Sequence, residues 1–123
     1  MKLFLALAGI NGFIAVMAGA FGAHALRDRL SERHLEVFEI GVRYQMYHAL
    51  ALIGAAWLVS LQAPMARAAG WSFVAGIAIF SGSLYILALT GHNKLGAITP
   101  LGGLALLVGW ALVIYGVLSL PGQ

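Results

Sequence analysis

Arg27-Asp28-Arg29-Leu30-Ser31-Glu32-Arg33-His34-Leu35-Glu36-Val37-Phe38-Glu39-Ile40-Gly41-Val42-Arg43 holds eight of the eleven charged residues of the chain. To either side the sequence is almost wholly apolar. Of 123 residues, 62% are hydrophobic and 9% charged, and the mean hydropathy is +0.94. A soluble domain of this length exposes too much surface to hide so much apolar area. The segregation therefore points to a lipid bilayer as the solvent, with the charged stretch as the main contact with water.

Four apolar runs flank the stretch, at 3–25, 44–61, 70–89 and 97–118. Each is close to the ~20 residues that cross about 30 Å of hydrocarbon. Backbone groups in lipid must be satisfied within their own segment, which makes these runs helices, and the alternating pattern of a closed barrel is missing. Gln62-Ala63-Pro64 and Gly91-His92-Asn93-Lys94 end the second and third runs. Pro100 stands at the start of the fourth, where its missing N–H costs little. Such short links make neighbouring spans antiparallel. The expected fold is all-α, a single-domain integral-membrane four-helix bundle (1–123). Lys2, an apolar run and Ala23-His24-Ala25 imitate a signal peptide. The run from Leu3 to Ala23 exceeds the usual hydrophobic region of about 7–15 residues, so a retained first span is expected.

The charged stretch has helix chemistry of its own. Ser31 is a natural N-cap, and Glu32 sits at the positive end of the helix dipole. Leu35, Val37, Phe38 and Val42 share a broad apolar face. Arg33 with Glu36, and Glu39 with Arg43, have the spacing of neighbours on a helix surface. Residues 32–43 thus read as an interfacial amphipathic helix that runs on into the second span, with Gly41 as a bend.

Composition excludes several functions. The chain has no cysteine, which removes disulfides, thiolate metal sites and cysteine nucleophiles. The net charge is +3 with no basic stripe, so a nucleic-acid partner is not expected. No acidic residue lies deep within a span, and no enzyme activity is expected.

Antiparallel spans place the polar residues. The end of span one, the start of span two, the end of span three and the start of span four share the membrane face that carries Arg27–Arg43. The candidate polar site on that face comprises His24, Glu39, Arg43, Gln45, Tyr47, His48, Ser81, Ser83, Tyr85, His92 and Thr99. His24, His48 and His92 at corresponding depths would be the ligands of a metal or haem if they converged. The plainer reading is three interfacial histidines satisfied by carbonyls or water. Arg43 is costly so near hydrocarbon unless it snorkels or pairs, and Glu39 is its local partner. Tyr44 and Tyr47 suit an aromatic belt. Asn11, Ser72, Ser81, Ser83, Tyr85 and Thr90 can hydrogen-bond between helices.

Glycines form small faces, with Gly9, Gly12, Gly19 and Gly22 in span one and Gly102, Gly103, Gly109 and Gly116 in span four. Small faces let helix backbones approach closely in lipid. Such contacts can lie within one bundle or between copies; in a homo-oligomer or a larger membrane complex, Gly109→Leu would disrupt assembly.

Gly19-Ala20-Phe21-Gly22-Ala23-His24, Arg43-Tyr44-Gln45-Met46-Tyr47-His48, Phe80-Ser81-Gly82-Ser83-Leu84-Tyr85 and Thr99-Pro100-Leu101-Gly102-Gly103 occur in that order. Together they resemble the small bacterial inner-membrane family catalogued as domain of unknown function 423. The resemblance covers essentially the whole chain. It implies a four-span protein of the inner (plasma) membrane, with these four stretches as signature positions, and no settled activity. Two functional expectations stand. The first is a non-enzymatic structural, accessory or oligomeric membrane protein. The alternative is binding or permeation of a small solute, ion or lipid headgroup where His24, Arg43, His48, Tyr85 and His92 meet. Counting Lys and Arg, the charged face has Arg27, Arg29, Arg33, Arg43 and Lys94 against Lys2 and Arg67. The positive-inside rule then puts the charged loop in the cytoplasm and both termini outside, whereas the resemblance, to relatives with basic second loops and C-termini, implies the reverse.

Overall fold

Ser31 starts a helix as its chemistry dictates. In the computed structural model, which describes residues 1–122, its backbone is extended (φ −62°, ψ 160°) and its hydroxyl accepts from the His34 N–H at 3.1 Å. The helix that follows is longer than its charged prelude. α3 (Glu32–Ser60) runs unbroken for 29 residues. The amphipathic segment and the second span are therefore one element, with no interruption at Gly41. That glycine serves close packing. A Cβ there would lie 2.9 Å from the Tyr85 ring. At 1.5 Å per residue α3 is roughly 43 Å long against about 30 Å of hydrocarbon, so its first turns project into water.

The ends of the other elements are equally local in origin. After α3, Gln62 takes a left-handed conformation (φ 59°). The Gln62 N–H then donates to Val59 C=O (2.9 Å) and the Ala63 N–H to Leu58 C=O (3.0 Å). These are the two bonds of a Schellman cap, here on a glutamine instead of glycine. α4 (Ala66–Thr90) stops at Gly91 (φ 75°), whose N–H donates to Leu87 C=O. A 3₁₀ turn (Asn93–Ala97) leads into α5 (Thr99–Leu118), with Pro100 in its first turn. The first span is a continuous rod of three parts, α1 (Lys2–Val16), a π-helical segment (Met17–Gly22) and α2 (Ala23–Leu26).

Three of the four rods are long and apolar enough to cross a membrane, Lys2–Leu26, Ala66–Thr90 and Asn93–Leu118. α3 falls short on hydropathy because it carries polar residues on its buried face, Gln45 and His48 among them. Large apolar side chains cover the outside, with Phe13 70%, Trp57 64% and Leu118 79% exposed. On a soluble monomer such a surface would aggregate, whereas lipid solvates it.

The rods pack in chain order. The first lies on α3, α3 on α4, and α4 on α5. α3 and α4 form the centre, and the core gathers Phe4, Leu52, Ala55, Phe73, Ile77 and Leu106. Lipid tails are as apolar as leucine, so van der Waals fit and interhelical hydrogen bonds decide association. Glycine notches supply the fit between α4 and α5. Gly102 meets the Phe80 backbone, Gly109 the Phe73 ring, and Gly76 the Leu106 side chain.

Candidate functional site

The polar residues expected to share one site form separate clusters. The first joins three helices. The Asn11 amide donates to Leu7 C=O (2.9 Å), and its oxygen accepts from the Gln45 amide (3.0 Å). The Tyr85 hydroxyl donates to the Gln45 amide oxygen at 2.7 Å. One turn away, the Ser81 hydroxyl donates to Gly41 C=O at 2.7 Å. Gln45 and Ser81 are buried, at 5% and 1% exposure. No buried side-chain nitrogen or oxygen among the described residues lacks a hydrogen-bond partner. In hydrocarbon these bonds fix which helix faces meet.

The second cluster lies on a different face of α3, toward α5. His48 is buried. Its Nδ1–H donates to Tyr44 C=O at 2.7 Å, and its Nε2 accepts from the Trp110 indole N–H at 3.0 Å. Indole can only donate, so Nε2 carries the lone pair and the proton sits on Nδ1. Both ring nitrogens are thereby engaged. The His48 and Trp110 rings stand edge to face, 5.9 Å apart, with Phe73 beneath both.

The third is a hydroxyl pair. Ser83 Oγ and Thr99 Oγ1 are 2.6 Å apart and tie α4 to the start of α5. Arg43 pairs with Glu39 as expected, loosely (3.8 Å) and with both side chains largely in solvent. Exposed pairs of this kind contribute little. The Arg33–Glu36 pair does not form, and Glu39–Arg43 is the one ion pair among the described residues. Tyr47 packs against Tyr44 with ring centres 5.8 Å apart and the rings tilted by 56°, and it faces outward.

The three histidines do not converge. His24 is exposed in the last turn of α2, and His92 is exposed beyond the end of α4. His48 lies 16 residues into α3, about 24 Å along its axis from Glu32. Antiparallel order gives a shared face but not equal depth, and α3 starts well outside the hydrocarbon. Among the described residues no group of three His, Cys, Asp or Glu could hold a metal. His24 and His92 are exposed at helix ends while His48 is buried with both ring nitrogens hydrogen-bonded, so the three do not form one donor set for a metal ion. Of the residues in the solute-site alternative, Arg43 pairs with Glu39 and Tyr85 with Gln45, in separate clusters. Trp110 is the functional-looking residue that the sequence reading missed. Its signal is an indole N–H inside a span with no polar neighbour in sequence, a donor that needs an acceptor from another helix.

A family model described as a protein of unknown function (DUF423) matches residues 18–103. Among curated proteins, the chain is 47% identical over 116 residues to the UPF0382 membrane protein YwdK of Bacillus subtilis, covering 93% of this chain and 94% of that one. It is 43% identical over 122 residues to a UPF0382 membrane protein of Staphylococcus epidermidis, covering 99% and 100%. No solved structure matches the chain.

Proposed function

The chain belongs to this bacterial membrane-protein family of unknown function, and from that premise we propose that it acts without catalysis, as a structural plasma-membrane component that associates with copies of itself. The observation that carries the reading is a contrast among glycines. Gly76, Gly102 and Gly109 are filled by side chains or backbone of the same chain, whereas Gly9 and Gly12 on α1 have nothing within 4 Å. α1 packs along α3 on one side, and on its other side Gly9 and Gly12 leave a notch among the exposed Leu5, Phe13 and Val16 that a side chain of a second helix can enter. The polar side chains support the same reading, because those buried in the bundle are occupied in holding helices together.

The test is native mass spectrometry of the protein released from lipid nanodiscs over a range of protein-to-lipid ratios. The wild type is expected in more than one copy. Gly12→Leu is expected as a single copy with an unchanged melting temperature, since a Cβ there meets nothing within 4 Å. A wild type that is a single copy at every ratio overturns the proposal.

A further inference from the structure

α3 and α5 both lie on α4 yet scarcely touch each other, which leaves a cleft between them. The Trp110–His48 hydrogen bond crosses it like a strap. On the side toward the charged end is a hollow of about 490 Å³, walled by Tyr44, His48, Phe80, Gly103, Leu107 and Trp110. Its rings are close to one another. Tyr44 and Phe80 are 4.5 Å apart, and Tyr44 lies within 20° of parallel to His48. On the other side is a second hollow of about 410 Å³, bounded by Leu50, Gly54, Trp57, Val113 and Val117. Trp110 lines both.

Three features narrow the occupant. Among the described residues no Asp, Glu, Lys or Arg lines either hollow, so a charged phosphate would have no counter-ion there. The first hollow has the size of a small-molecule site, and its rings favour stacking on a flat partner. Tyr44 is 39% exposed, and its hydroxyl has no hydrogen-bond partner among the described residues, leaving a donor for a carbonyl. The second hollow is lined by apolar side chains apart from Tyr47, and it meets the first at Trp110. We infer that this cleft binds a neutral amphiphile of the quinone class, with its planar head against Tyr44, Phe80 and Trp110 and its apolar tail running past the strap. The inference goes beyond self-association and does not depend on it.

The experiment uses the full chain in nanodiscs with Trp57→Phe and Trp71→Phe, which leaves Trp110 as the single tryptophan. The probe is a benzoquinone with a decyl tail. Saturable quenching of Trp110 fluorescence is expected. Gly103→Leu should abolish the saturable phase while the protein stays folded, because a Cβ at Gly103 meets only the Phe80 ring, at 3.8 Å. Tyr44→Phe should weaken binding about three- to tenfold, the usual range for one lost hydrogen bond. Quenching that is linear, or unchanged by Gly103→Leu in a protein of unaltered melting temperature, overturns the inference. Equal displacement by diacylglycerol, a neutral lipid without a ring, also overturns it.

Discussion

Tyr85 shows how one hydroxyl can specify a fold in lipid. Its ring fills the space left by Gly41 and its oxygen finds Gln45, so a single side chain fixes both the distance and the rotation of α4 against α3. Interhelical hydrogen bonds in membranes average about 0.6 kcal/mol and reach about 1.7 kcal/mol. Tyr85→Phe keeps the ring and loses only the bond, so thermal unfolding in detergent should register a loss in that range. Gln45→Leu removes two bonds and leaves the Tyr85 hydroxyl unsatisfied, and it should cost more than Tyr85→Phe in the same assay. At this scale the sequence announced the participants but not the pairs. Asn11, Ser81 and Tyr85 are conspicuous in apolar runs, yet helical spacing says only which residues share a face of one helix. Which face meets which neighbour depends on packing between segments far apart in the chain. That is why His48 was grouped with His24 and His92, when its partner is Trp110.

At the scale of elements, the local signals were reliable and the tertiary ones were not. The cap at Ser31 and the proline at the start of α5 act through neighbouring backbone, and both stand where their chemistry puts them. The π-helical turn at Met17–Gly22 has no comparable signal, since small residues permit it without requiring it. Gly109 illustrates the same limit. Its place on a small face was legible, but whether that face met another helix of this chain or a second copy was not. It receives Phe73, so Gly109→Leu strikes the α4–α5 contact inside the protomer. We expect Gly109→Leu and Gly102→Leu to destabilise the bundle by at least the ~1–3 kcal/mol of ordinary overpacking and so to lower the melting temperature. Gly9→Leu, facing open space, should leave it unchanged. Parallel melting curves for the three variants separate internal notches from an external face.

For the whole molecule, the charged first turns of α3 set the vertical frame. They hold one end of the bundle in water, and the Lys and Arg count predicts that this end faces the cytoplasm. The chain has no native cysteine, so single-cysteine labelling is unambiguous. Ser119→Cys should react with a membrane-impermeant maleimide in intact cells, and Arg29→Cys only after lysis. The reverse pattern would place the termini in the cytoplasm. The glycine notches bear on how the bundle answers a change of membrane. Phe80 in the notch of Gly102, Phe73 in that of Gly109 and Leu106 in that of Gly76 fix the axial register of α4 and α5 at three heights. The amide and hydroxyl bonds do the same for the first rod and α3. Sliding α5 by one turn along α4 would empty all three notches at once. Hydrophobic mismatch in a thicker or thinner bilayer must therefore be met by tilt of the whole body or by deformation of the surrounding lipid.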